Sequence, residues 1–237
     1  MPVAIITGAS SGIGRATALL FARSKYQLSL TGRDNKALEE VARLCVEAGV
    51  AKSDVTVTTG DLSSSSTCSA IVDATVNSFG RIDTLVNSAG ILLSGPVIDT
   101  PLEQFDKLFD TNVRSLVQLT RAALPHIIKT KGTVVNVSSI NGPCPFPNVT
   151  YYCMSKSAVD QFTNPGVTVT NLHKRAGQDE ATYAAFLEKS ATTHALGRPG
   201  EAEEVAKSIA FLAGPDSSFT TGDLLRVDGG RGIMHPR

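Results

Sequence analysis

Val3-Ala4-Ile5-Ile6-Thr7-Gly8-Ala9-Ser10-Ser11-Gly12-Ile13-Gly14 decides how the chain folds. Val3 to Ile6 is a short apolar run without alternation, which suits a strand buried on both faces of a parallel sheet. A glycine-rich turn follows, then a helical pattern to about Ser24. That order brings backbone N–H groups and a helix N-terminus up to an anion. Glycine lets the backbone approach a pyrophosphate with no Cβ in the way. Taken alone, the stretch also fits a plain tight turn between strand and helix. Two rival motifs fare worse. A Walker turn needs Lys and then Ser or Thr after the last Gly, and Arg15-Ala16 stands there instead. Gly8-Ala9-Ser10-Ser11-Gly12 also spells G-x-S-x-G, the elbow of a serine hydrolase with Ser10 as nucleophile. No earlier strands supply an oxyanion-hole loop, so the hydrolase stays a remote alternative.

Outward from this turn, Gln27 to Thr31 reads as a second strand. Asp34 fits, by count, the acid that grips a ribose 2′-hydroxyl in NAD sites. However, Gly32-Arg33 comes first, and a small residue followed by a guanidinium suits a 2′-phosphate. Asp34 is better placed as the N-cap of a helix from Asn35 to Ala48. NADP(H) is therefore expected, with NAD(H) the alternative. Val55 to Thr58 is a third strand, and Asp61-Leu62 leaves its end, where Asp61 can accept from an adenine amino group or serve as a cap. Ser63 to Ser66 opens a helix running to about Phe79. Asp83 to Val86 is a fourth strand ending in Asn87-Ser88-Ala89-Gly90, small enough for a flat ring to approach the backbone.

Residues 101–130 read as one long helix, with apolar spacing at Phe105, Leu108, Phe109, Val113, Leu116, Leu119 and Leu124. Pro125 is expected to kink or split it. Asn112 falls mid-helix, either as a tolerated polar residue or as a side chain aimed at a site. Thr133 to Ser139 is a fifth strand with hydroxyls at its carboxyl end, where open α/β sheets bind ligands. The β-α-β alternation with short turns predicts a doubly wound parallel sheet.

Tyr152 and Lys156 lie four apart, on one face of the next helix. An ammonium one turn from a phenol favours the phenolate, which gives a proton donor and acceptor usable at physiological pH. Composition sets outer bounds. The 237 residues are 42% hydrophobic and 19% charged, enough for a sizeable core in one α/β domain. Basic and acidic residues balance at 22 each, which argues against general nucleic-acid binding. No membrane span or signal peptide is expected, so the chain reads as cytoplasmic. Four cysteines without metal spacing read as reduced thiols, and no metal is required.

In order and spacing, Thr7-Gly8-x-x-x-Gly12-Ile13-Gly14, Asp61-Leu62, Asn87-Ser88-Ala89-Gly90, Asn112, Ser139 and Tyr152-x-x-x-Lys156 resemble the short-chain dehydrogenase/reductase family of classical type, 3-oxoacyl-carrier-protein reductases included. The resemblance implies a Rossmann fold of six or seven strands and a homo-oligomer. It implies hydride transfer between NADP(H) and a carbonyl or secondary alcohol. Ser139 would hold the carbonyl oxygen and Tyr152 would pass its proton. Lys156 would support the phenolate and hold the nicotinamide ribose, and Asn112 would anchor a water reaching Lys156. Gly8, Ser10, Ser11, Gly12, Ile13, Gly14, Arg33, Asp61, Leu62, Asn87, Ala89 and Gly90 would line the nucleotide. Ser88 departs from the family, which usually has a second Asn there.

After Lys156 the resemblance breaks. The family runs several more helical turns and a strand before Asn-Pro-Gly, whereas here Thr163 leads straight into Asn164-Pro165-Gly166. About 20 residues are absent, counting the rear of a helix and the sixth strand a parallel crossover needs. Either Val167 to Thr170 replaces that strand, or Pro165, Gly166, Thr168 and Thr170 form the family's cofactor loop. The missing half-helix belongs to the family's dimer face, so association would be weakened, and an impaired dinucleotide-binding isoform working through a partner is the alternative reading. Residues 171–195 would form a substrate lid with an apolar stripe at Tyr183, Phe186 and Leu187. His173 and His194 read as solvated rather than catalytic. A helix from Glu201 to Ala213 and a last strand from Thr221 to Val227 close the chain.

Overall fold

In a computed structural model, residues 1–139, 141–143, 145–163, 179–201 and 229–230 are described. The chain divides into two units, Met1–Val159 and Asp160–Arg237. In the first, five parallel strands form one sheet in the order β3-β2-β1-β4-β5. These are β1 (Val3–Thr7), β2 (Gln27–Gly32), β3 (Val55–Thr59), β4 (Thr84–Asn87) and β5 (Thr133–Asn136). The doubly wound α/β sheet expected from the alternation is present. Its replacement strand at 167–170 and last strand at 221–227 lie outside the described residues, as do the 201–213 helix beyond Glu201 and His173.

β1 is buried along its whole length because neighbours pair with both its edges, β2 on one side and β4 on the other. Successive side chains of a strand point to opposite faces, so Ile5 and Ile6 enter different cores. On one face Ile6, Leu28 and Leu30 pack with Ala18 and Ala22 of α1 (Gly12–Arg23) and with Leu38, Val41 and Cys45 of α2 (Asn35–Glu47). On the other, Ile5 and Leu85 pack with Ile71 of α3 (Ser65–Phe79) and with Leu119, Ala123 and Ile127 of α5 (Ser115–Thr130). Asp34 caps α2 as expected, its carboxylate accepting the Ala37 N–H at 3.0 Å. Cys45, Cys68 and Cys153 are free and buried, and burial pushes the Cys45 thiol up to about 11.

The long helix runs on without a break but changes its winding, and not at its proline. α4 (Leu102–Phe109) passes into a π-helical turn, Asp110–Arg114, and then into α5. Pro125 sits inside α5 without ending it. Its missing N–H removes one bond, while Leu119, Ala123 and Ile127 around it stay buried against the sheet and hold the helix there. α6 (Thr150–Thr163) carries Tyr152 and Lys156.

In the second unit, α7 (Glu180–Thr193) forms within the 171–195 stretch, with Phe186 and Leu187 half-buried. His194 corrects the expectation of a solvated side chain: it is 2% exposed, with Nδ1 2.5 Å from the Ser190 carbonyl oxygen and its ring against Gly229. The Leu196 N–H donates to the Gly229 carbonyl at 3.1 Å beside the ring, a contact that no periodicity announces.

Asp83 ties the start of β1 to the start of β4. Its carboxylate accepts the Val3 N–H at 2.8 Å and two bonds from Arg81. Burial pushes this carboxyl up, but the Arg81 and Val3 bonds outweigh it and hold it below the usual range. A lowered folded value means the stability is full above the unfolded Asp value of about 3.9 and drains as acid carries the pH below that. Unfolding free energy, followed by urea melts between about pH 5 and pH 2, is expected to fall more steeply in the wild type than in Asp83→Asn.

Candidate active site

The order β3-β2-β1-β4-β5 reverses direction between β1 and β4, and the carboxyl ends there form the crevice where open α/β sheets take ligands. Thr7 closes the floor. Its buried hydroxyl oxygen accepts the N–H groups of Ser88 and Ala89, each at 2.9 Å. Gly8 lies against the same segment: with φ +63°, its Cβ would stand 3.0 Å from Ala89 Cα. Gly14 packs the first turn of α1 onto the loop so closely that a Cβ would fall on the Gly8 carbonyl. Gly12, φ +52°, instead faces open space at the helix N-terminus. That is the cradle a pyrophosphate requires, so the residues present fit a dinucleotide.

A cavity of about 430 Å³ runs over this turn. Gly8, Ser10, Ser11, Gly12 and Ile13 line it on one side, Gly32, Arg33, Asp61 and Leu62 at one end, and Ser88, Ala89 and Gly90 on the other side. Asp61 is held below the usual carboxylate range by the N–H and hydroxyl of Ser63, with Arg33 and Lys107 adding attraction. Asn87 and Gly14 do not line the cavity. The Asn87 amide turns inward, donating to Thr120 Oγ1 at 3.1 Å and Asn136 Oδ1 at 2.9 Å, so it braces β4 against α5 and β5. Gly14 serves the turn by packing. Ile91 and Thr111 are cleft residues the motif reading missed.

Gly90 joins this cleft to the polar residues of α6. A Cβ there would stand 3.4 Å from Asn112 Oδ1 and 3.7 Å from Lys156 Nζ. Asn112 sits in the π-helical turn, a distortion common at functional sites. Its Oδ1 accepts the Ile91 N–H at 2.8 Å; its Nδ2 donates to the Ile91 carbonyl and to Ser155 Oγ, each at 3.0 Å. The amide thus ties the segment after β4 to Ser155 of α6. Lys156 is buried, donates to the Val137 carbonyl at 2.9 Å, and has Nζ 5.8 Å from the Tyr152 ring centre. Ser139 lies just past β5, its hydroxyl donating to Asn141 Oδ1 at 3.1 Å. Pro165, Gly166, Thr168 and Thr170 lie outside the described residues.

A parallel sheet with a glycine-floored cleft at its switch point, with Lys156 Nζ 3.7 Å from the Cβ position of the lining residue Gly90, defines a dinucleotide-binding α/β fold. The family model described as short chain dehydrogenase matches residues 2–175, and one described as enoyl-(acyl carrier protein) reductase matches residues 164–231. The chain belongs to the short-chain dehydrogenase family, oxidoreductases that bind NAD(P).

It is 31% identical to meso-2,3-butanediol dehydrogenase of Serratia marcescens over 245 positions, covering 96% of this chain and 93% of that protein. It is 34% identical to the 3-oxoacyl-acyl-carrier-protein reductase FabG of Thermotoga maritima, covering 96% of each. Among solved structures, levodione reductase is similar with TM-score 0.66 at 26% identity, covering 99% of this chain and 98% of that one. The comparison over 245 positions is longer than the 237-residue chain, so the Serratia relative carries residues with no counterpart here.

Because the Gly8 carbonyl occupies the space a Gly14 side chain would need, Gly14→Ala is expected to lower stability by about 1–3 kcal/mol, read as a shift in the urea midpoint.

Proposed function

We propose that the chain reduces a carbonyl, or oxidises the matching secondary alcohol, using NADP(H) through Ser139, Tyr152, Lys156 and Asn112. The observation that carries this is Gly90, which lines the nucleotide cleft and has Asn112 Oδ1 and Lys156 Nζ within 4 Å of its Cβ position. A reduced nicotinamide supplies the hydride when bound. Ser139 donates a hydrogen bond to the substrate oxygen and fixes where it lies. Tyr152 gives that oxygen its proton, or takes one in the oxidative direction. Lys156, an ammonium buried beside the phenol ring, stabilises negative charge on the Tyr152 oxygen. Asn112 holds Ile91 and Ser155, which keeps α6 in place beside the cleft. Arg33 at the cleft's end suits a 2′-phosphate and carries the preference for NADP(H). Residues 1–237 act as one catalytic domain, with 171–195 as the substrate lid, in a homo-oligomer working in the cytoplasm.

A second reading is a chain that binds the dinucleotide without turnover and works through a partner. It is favoured by the residues the Serratia relative has and this chain lacks. NADPH binding without oxidation against a panel of ketones would decide for it.

Under the first reading, Tyr152→Phe binds NADPH as the wild type does but loses at least about 100-fold in kcat. Arg33→Ala weakens NADPH about tenfold or more, as expected for a lost charge-assisted bond, and leaves NADH unchanged. Fluorescence titration and steady-state assays check both.

A further inference from the structure

We propose that Asn141 is the positioning residue that aims the Ser139 hydroxyl and holds it in register with the helix carrying Tyr152. The inference rests on the carbonyl-reductase reading of Ser139. The last rung between β4 and β5 is the bond from Val137 N–H to the Asn87 carbonyl, so Ser139 lies beyond the sheet's reach. A serine hydroxyl has one proton and rotates among three wells. Here both of its partners come from one residue: the hydroxyl donates to Asn141 Oδ1 at 3.1 Å and accepts the Asn141 N–H at 3.2 Å. The far end of the same amide donates to Cys153 Sγ at 3.5 Å. Cys153 is buried on α6, next to Tyr152 in the chain. One planar group therefore spans from the hydroxyl that would hold the carbonyl to the helix that would protonate it.

The arrangement suits a resting state. An arriving carbonyl oxygen takes the Ser139 proton from Asn141 Oδ1, exchanging one neutral hydrogen bond for another. The Asn141 N–H keeps the serine oxygen in place meanwhile. Asn141 is not among the residues lining the nucleotide cleft, so its effect should spare cofactor affinity. An unrestrained hydroxyl costs orientation, and small misplacements of reacting groups lower turnover by up to about 100-fold.

The test uses the full chain with NADPH and a ketone substrate, measuring kcat, KM, NADPH affinity and thermal midpoint. Asn141→Ala should lower kcat about tenfold or more and raise the ketone KM, with NADPH affinity within about twofold. Asn141→Asp retains an oxygen for the Ser139 hydroxyl and should recover most of the loss. Cys153→Ala, which leaves the loop intact and removes only the far anchor, should lower kcat about two- to threefold with NADPH affinity unchanged. This variant decides the matter if Asn141→Ala does not fold. Unchanged kcat and KM in Asn141→Ala, a parallel loss of NADPH affinity, no recovery in Asn141→Asp, or an unaltered Cys153→Ala overturns the proposal. Ser139→Ala separates the two levels. If it is inactive while Asn141→Ala is fully active, only the positioning role falls. If Ser139→Ala turns over like the wild type, or the wild type has no turnover, the carbonyl-reductase reading falls and takes the proposal with it.

Discussion

Two short bonds at one hydroxyl hold the site together. Thr7 ends the central strand, and its oxygen receives the N–H groups of Ser88 and Ala89 where β4 runs out. The sheet reverses its winding between these two strands, so their ends diverge, and something must hold the gap at a fixed width. With the floor fixed, Gly8 can press against Ala89 and leave the space above Gly12 open. Gly90, two residues past Ser88, then faces Asn112 and Lys156. Asn112 and Lys156 thus meet the cleft at the segment that this junction fixes.

Much of this was legible because it is local. Strand, glycine turn and helix follow from a few residues in sequence, and so does the Asp34 cap. The glycines were legible as a set but not in their separate roles. Gly14 packs, Gly8 makes way for Ala89, and Gly12 leaves room, and only the neighbours in space tell them apart. Asn112 stood out as a poor helix former, yet the π-helical turn it occupies depends on bonds to Ile91 and Ser155 far along the chain. Pro125 looked the better candidate for a break, but burial of its neighbours against the sheet outweighs one missing hydrogen bond. His194, Asn87 and Asn141 were missed or misplaced for the same reason. A single polar side chain carries no period, and its partners become visible only when the fold brings them together.

Residues 164–178 lie outside the described structure. The nucleotide cleft, Asn112, Ser139, Tyr152 and Lys156 all fall within Met1–Val159. Residues that the Serratia relative carries and this chain lacks are the ground for the second reading, dinucleotide binding without turnover.

The most direct measurement follows deuterium. NADPH labelled at C4 of the nicotinamide, mixed with the chain and a ketone that it turns over, should yield an alcohol carrying the label on its carbinol carbon, seen by mass spectrometry, with equivalent NADP formed. A ketone panel left unreduced, beside NADPH that binds tightly and stays reduced, would contradict the account.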